Sequence, residues 1–318
     1  MSGNMNPRTV LKYFLAREQA EGRGARVRRS IGTINLRNFT PFLMLDHFHV
    51  TPGIGGFPSH PHHGQETITY ITHGAMAHED FTGSAGILYP GDLQFMTAGK
   101  GVVHSEIPVK LKDDPTQACI GMQLWVDLPE NLKNTPPRYR DLKKKEIPIA
   151  KPNDKVEVKV ISGSSYGIGS LRDLAYTPVC YYHYTVKPGG EFKQEVPADF
   201  NSFIYLMEGG LTINDKEYDQ YNAIFFNRDG DYIEGKNPAN ATKDASFVLI
   251  GGEALDQKIV QHGPFVETSV EKMHEVFRNY QHGINGFEKA REWEAKIDIG
   301  VEEGDVIGNT ATPKKDEL

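Results

Sequence analysis

Gly91-Asp92-Leu93-Gln94-Phe95-Met96-Thr97-Ala98-Gly99-Lys100-Gly101-Val102-Val103-His104-Ser105-Glu106 reads as a short strand, a glycine turn and a second strand carrying a histidine and a glutamate. In extended backbone, side chains alternate faces with a period of two, so His104 and Glu106 project to one side. Upstream, His60-Pro61-His62 has the same spacing, and its two imidazoles also share a face. Brought side by side in a barrel, the two strands offer three imidazoles and one carboxylate to a single point. Such a nitrogen and oxygen donor set suits a divalent transition metal, with positions left open for a small molecule.

Working outward, most of the chain alternates short β-branched and aromatic runs with Gly, Pro, Asn and Asp turns. Strands are expected at 67–72, 93–96, 120–126, 156–161, 181–186, 202–207, 223–226 and 246–250. Regularly spaced short strands indicate a sandwich or a barrel. The segment from Pro129 to Pro152 differs, with Pro136-Pro137, the run Lys143-Lys144-Lys145, Pro148 and Pro152. It reads as a linker between two β domains. The halves on either side echo one another. Tyr70-Ile71-Thr72-His73-Gly74 followed by Tyr89-Pro90-Gly91-Asp92-Leu93 resembles Ile204-Tyr205-Leu206-Met207-Glu208-Gly209-Gly210 followed by Tyr221-Asn222-Ala223. This is the pattern of an internal duplication. Where the second half should carry ligands it reads Gly189-Gly190-Glu191-Phe192-Lys193-Gln194, without His-X-His, so only the first half is expected to hold metal.

Val270, Met273, Val276, Phe277 and Tyr280 fall on helical spacing behind Ser269, a candidate cap. A second helical piece is expected from Phe287 to Ile297. The polar end of the chain reads as disordered. The 318 residues are 38% hydrophobic and 24% charged, an ordinary globular balance. A net charge of -7 and a pI near 6.0 argue against general attraction to nucleic acid. Two distant cysteines, Cys119 and Cys180, argue against a disulfide scaffold. No run reaches membrane-spanning length. The final Lys315-Asp316-Glu317-Leu318 spells a luminal retrieval signal. Residues 10–16 do not form an entry signal, so the four residues read as part of a charged tail.

The order Gly, His60-Pro61-His62, Glu66, then Gly91-Asp92, a strand, a Gly turn and His104 resembles the two motifs of the cupin superfamily. Thr97 stands where that pattern usually has Pro. The likeness extends to the pirin family. It rests on Glu18 to Gly32, Phe57 to His62, Met76-Ala77-His78-Glu79-Asp80-Phe81, Met96 to Gly101, Gln123-Leu124-Trp125-Val126 and Gln261-His262-Gly263-Pro264-Phe265-Val266, and spans about residues 16 to 298. The resemblance implies an all-β fold of two tandem cupin (jelly-roll) barrels with short C-terminal helices. Residues 1–145 would form the metal-binding domain and 146–298 a degenerate second one, with a charged tail over 299–318. It implies His60, His62, His104 and Glu106 as ligands to Fe(2+), although Zn, Ni, Cu and Mn accept similar donors.

The resemblance also implies two functions. One is a quercetin (flavonol) 2,3-dioxygenase, with a small aromatic substrate, dioxygen attack, ring opening and release of carbon monoxide. Glu106 is the first choice of general base and Glu66 the second. The alternative is a redox-sensing transcription co-regulator that binds a protein partner, a transcription factor or signalling protein, in the nucleus and cytoplasm. A monomer without direct nucleic-acid or membrane binding is expected in either case. Glu66 lies four residues past His62 and shares its parity in an unbroken strand, yet Gly64 interrupts the run, so a neighbouring role is weighed against ligation. His63 has the opposite parity and is expected to face away. His78-Glu79-Asp80 cannot all face one way in a strand and is read as a structural hydrogen-bonding group. Gln123 is in reach of the pocket from a neighbouring strand. Arg23, Arg26, Arg28 and Arg29 form a basic stretch, either a solvated edge or a surface for an acidic partner.

Overall fold

A computed structural model describes residues 5–22, 24–171 and 175–305. All eight expected strands lie inside observed ones: Gln65–His73, Leu93–Thr97, Cys119–Asp127, Val156–Ser162, Val179–Val186, Phe200–Glu208, Asn222–Phe226 and Ala245–Glu253. They build two compact units of one design. The units are not the contiguous blocks 1–145 and 146–298. Among the described residues, one comprises 18–22, 24–27, 46–144 and 257–305, and the other 5–17, 28–45, 145–171 and 175–256. A local pattern reveals strands but not which distant strand they pair with. Val10–Leu15, for example, pairs with Asn222–Phe226.

One large sheet runs through Arg138–Leu142, Leu93–Thr97, Gln65–His73, Cys119–Asp127, Phe42–Val50, Ala25–Ile31 and Glu18–Ala20. A small sheet runs through Val301–Glu302, Val102–Lys110, Met76–Asp80 and Ala85–Leu88, with Phe57–His62 also paired to Val102–Lys110. The other unit repeats the plan. Its large sheet is Val10–Leu15, Asn222–Phe226, Phe200–Glu208, Ala245–Glu253, Val179–Val186, Val156–Ser162 and Ile149–Asn153. Its small sheet is Glu191–Glu195, Tyr232–Lys236, Leu211–Ile213 and Lys216–Tyr218. The loose sequence echo is thus a duplication of topology.

Three expectations need correction. The segment from Pro129 to Pro152 is no free linker. Arg138–Leu142 and Ile149–Asn153 each close one large sheet as an edge strand, where proline is tolerated because no neighbour needs its missing N–H. The helix behind Ser269 forms over Val270–His282. The Ser269 side chain accepts the Lys272 N–H, and Gly283 ends the helix at φ +64°. The second helix does not form. Residues 287–293 fold into turns, and Phe287, Ala290 and Trp293 pack with Met96, Val102, Phe265 and Met273. Three-residue spacing suits tight turns as well as one face of a helix, and here the turns bury Phe287 and partly cover Ala290 and Trp293. The tail is ordered further than expected. Lys296–Ile299 makes a short 3₁₀ turn, and Val301 pairs with Val109. Residues 306–318, including Lys315–Leu318, lie outside the described residues, as does Arg23. No helix among the described residues is long and apolar enough to cross a membrane.

Candidate metal centre

His60 and His62 sit on the strand Phe57–His62, and His104 and Glu106 on Val102–Lys110. The strands are antiparallel, with His60 opposite His104 and His62 opposite Val102. Two residues separate His60 from Phe57, but only one separates His104 from Glu106, which lies opposite Phe57. The extra residue makes a bulge, and a bulge re-aims side chains locally.

The three imidazoles converge. One ligating atom from each of His60, His62 and His104 lies within 4.8 Å of the other two, and the Nε2 atoms of His60 and His104 are 3.0 Å apart. His60 Nδ1 stands 2.9 Å from the Pro58 carbonyl. A carbonyl only accepts, so Nδ1 carries the proton and Nε2 keeps its lone pair for the cluster. His62 Nδ1 is 2.8 Å from the Gln65 amide nitrogen. The same amide nitrogen donates to the Pro264 carbonyl at 2.9 Å, so it faces His62 Nδ1 as a donor and the ring nitrogen accepts there. His104 Nδ1 is buried without a hydrogen-bond partner among the described residues. Burial, reinforced by the charge on His60, holds His62 and His104 well below the usual imidazole range, so both are neutral near pH 7. Neutral imidazoles whose ring nitrogens lie this close together fit a divalent transition ion.

Glu106 does not belong to that tight group. Its carboxylate accepts the Gln123 amide at 3.1 and 3.3 Å and lies 3.2 Å from the Thr69 hydroxyl. Thr69 also stands 3.0 Å from the Gln123 carbonyl oxygen. Gln123 therefore reaches the pocket, as its strand position suggested, by holding the carboxylate. The indole of Trp125, two residues along the same strand, meets the His62 ring edge to face at 5.1 Å.

Glu66 is placed elsewhere. The strand carrying His62 ends there, Gly64 turns the chain at φ +72°, and a new strand starts at Gln65. Gln65 and Thr69, of one parity, reach toward the site, so Glu66 faces the other side of the sheet. Its carboxylate accepts the Thr97 hydroxyl at 2.6 Å. The unbroken-strand assumption fails at the glycine, and Glu66 is not positioned to act as a base at the cluster.

The weaker candidates resolve as hydrogen-bonding groups. His63 bridges the Lys100 carbonyl at 3.0 Å and Glu267 at 2.9 Å. His78 bonds Asp141 at 3.0 Å, and Gln94 donates to the other oxygen of that carboxylate at 3.1 Å. Burial acts to raise Asp141, but the hydrogen bonds from His78 and Gln94 and the charge on His78 hold it below the usual carboxylate range. Glu79 accepts the backbone N–H groups of Lys296 and Ile297. Asp80 closes a turn by accepting from Thr82 and Ser84. Three adjacent residues thus point three ways. The sequence reading missed the buried pair Lys133–Asp127, whose carboxylate also takes the Gln257 amide at 2.8 Å. These partners lie up to 130 residues apart and leave no local signal.

Family profiles match the chain twice, Pirin over residues 24–126 and the Pirin C-terminal cupin domain over 181–286. The human protein Pirin is 43% identical over 295 residues, covering 91% of this chain and 97% of its own length. A pirin-like protein of Solanum lycopersicum is 42% identical over 292 residues, covering 91% and 97%. Among solved structures, quercetin 2,3-dioxygenase from Acinetobacter baumannii superposes with a TM-score of 0.77 at 25% identity, covering 87% of this chain and 98% of that one.

Proposed function

Because the chain belongs to the pirin family and has two cupin domains, we propose that it is an iron-dependent dioxygenase of the quercetin 2,3-dioxygenase type, acting on a flavonol. The observation that carries this reading is the convergence of His60, His62 and His104 beside a carboxylate held in place by two donors. The likeness to the Acinetobacter enzyme supports the reaction class.

His60, His62 and His104 would hold the ion through one imidazole nitrogen each. Bound there, it would supply Lewis acidity and an anchor for a substrate oxygen. Glu106 would accept the proton of the flavonol hydroxyl, leaving the enolate that dioxygen attacks. Gln123 and Thr69 fix the carboxylate before substrate arrives, which removes an orienting step from the reaction. The edge of Trp125 and the partly exposed His60 line the approach to the cluster. The overall change consumes one dioxygen per flavonol, opens the ring and releases carbon monoxide.

The alternative, a co-regulator that binds a protein partner, rests on the second unit's lack of His-X-His and on the basic stretch. Among the described residues of that stretch, Arg26 pairs with Glu18 and Arg28 stacks 3.9 Å over the Tyr221 ring. The enzyme reading is the one carried forward. Its test is metal analysis with oxygen uptake on quercetin, for wild type and His60→Ala. Wild type should bind iron and consume oxygen, and the variant should do neither. A fully iron-loaded wild type that consumes no oxygen with any of a panel of flavonols would overturn the proposal.

A further inference from the structure

The ligand strands have a second, outward side. Ser59 precedes His60, and Ser105 stands between His104 and Glu106. Both serines meet one carboxylate from the other end of the unit's sequence, Asp298. Its Oδ2 accepts the Ser59 hydroxyl at 2.7 Å and lies 3.3 Å from the Ser59 N–H, and its Oδ1 accepts the Ser105 hydroxyl. Ser59 lies in the stretch that carries the bulge. A bulge leaves a backbone group without its ladder partner, and Asp298 supplies an acceptor for that N–H.

The segment bearing Asp298 is firmly seated. Ala295, Ile297 and Val301 bury against Ala75, Ala77, Ile107 and Val109 on the outer face of the small sheet. The Lys296 and Ile297 N–H groups donate to Glu79 at 2.8 and 3.3 Å, and Val301 pairs with Val109. Asp298 therefore comes from an anchored turn, and Ser105 is fully buried beneath it. Neither serine nor Asp298 reaches the cluster itself.

We propose that Asp298 is a positioning residue for the metal centre. Its two oxygens tie the bulge ahead of His60 to the backbone between His104 and Glu106, and so set the separation of the two ligand strands. This rests on the metal reading above. Outer groups that orient ligands typically change metal affinity by about 10- to 100-fold when removed, without touching the ion. The strand spacing adds a kinetic consequence: a loosened bulge lets His60, the partly exposed ligand, swing away first.

The test uses full-length protein loaded with cobalt(II), whose visible absorption reports coordination geometry. Wild type, Asp298→Ala, Asp298→Asn, Ser105→Ala and Lys296→Ala are compared for the rate of cobalt transfer to excess EDTA, the cobalt spectrum, and thermal midpoint without metal. Lys296 is an exposed side chain of the same turn and serves as control. Asp298→Ala is expected to release cobalt about tenfold faster, with an altered spectrum. Asp298→Asn, which keeps one acceptor oxygen, and Ser105→Ala should fall between, and Lys296→Ala should match wild type. Should Asp298→Ala not fold, Asp298→Asn and Ser105→Ala decide. Release within twofold of wild type with an unchanged spectrum in the folded Asp298 variants overturns the proposal. So does equal acceleration by Lys296→Ala, which would make the turn a mere cover. A wild type that binds no cobalt or iron instead removes the metal reading, and this proposal with it.

Discussion

The same pair of strands has opposite contents in the two units. In one, Phe57–His62 and Val102–Lys110 aim His60, His62, His104 and Glu106 inward. In the other, Glu191–Glu195 and Tyr232–Lys236 bury Phe192, Gln194 and Ile233. Phe192 packs against Tyr184 and Phe247 with ring centroids 5.3 and 4.9 Å apart, and the Tyr184 and Phe247 rings stack at 5.1 Å. Gln194 is spent internally, accepting the Tyr184 hydroxyl at 2.7 Å and donating to the Ser164 and Glu195 carbonyls. The first interior leaves Gln65 Oε1, His78 Nδ1, Gln94 Oε1, His104 Nδ1 and Trp125 Nε1 buried without hydrogen-bond partners among the described residues. Each such atom costs about 1–3 kcal/mol of desolvation. The duplicated scaffold tolerates either filling. One copy is filled by packed rings, and the other keeps a polar interior with unpartnered buried atoms among the described residues.

The sharpest way to break that contrast is at the ligands. His104→Ala should abolish metal binding, lowering content from about one ion per chain to none by elemental analysis, since two imidazoles leave an incomplete site. His183→Ala, a buried histidine of the other unit, should leave metal content unchanged. Equal loss in both variants would mean that the ion is not held where the imidazoles converge. The next largest effect concerns packing. In metal-free protein, Phe192→Ala should cost about 3–5 kcal/mol in urea unfolding. His62→Leu should cost nothing or stabilise, because it replaces a buried polar ring with an apolar one. Similar penalties for the two would erase the distinction between a packed and a functional interior.

Acid should also find the second unit. Burial, helped by the charge on Lys159, depresses His183 to about 3. Its ring lies 2.9 Å from the Ser246 hydroxyl. The unfolded chain protonates this histidine near the usual 6.5, so between the two values the unfolded state binds the extra proton. Stability from this group is complete above about pH 6.5 and falls as pH drops toward 3, by roughly 1.4 kcal/mol per unit at most. Thermal midpoints measured from pH 7 to 4 should therefore decline less steeply in His183→Gln than in wild type. Parallel curves would place the acid sensitivity in other groups.

What could be read from the chain alone divides along physical lines. Periodicity and turn chemistry located the strands, because Leu93 to Met96 or Ser202 to Met207 declare themselves within six residues. The X-any-X spacing brought out the three imidazoles that converge, because alternation in a strand is rigid. It left Glu66 open between two roles, because one glycine at φ +72° can reset the alternation. Contiguous domain boundaries failed because pairing such as Val10 with Phe226 spans the chain. The Asp298 contacts to Ser59 and Ser105, 239 and 193 residues away, had no sequence signal at all.

The smallest expected effect bears on what Glu106 does inside the polar barrel. The Gln123 amide donates to both of its oxygens, and Thr69 stands ready beside it. Gln123→Ala removes one holder and leaves the other, so the loss should be near the value of a single hydrogen bond, about 1 kcal/mol, or roughly fivefold in turnover with quercetin. Iron content should not change, because the carboxylate stands outside the group formed by the three imidazoles. Activity and iron affinity measured on the same preparations separate the two roles. A drop in turnover alone fits a carboxylate that takes the substrate proton. A parallel drop in both would make Glu106 a ligand that Gln123 holds against the ion, and the polar barrel would then use all four inward side chains for binding.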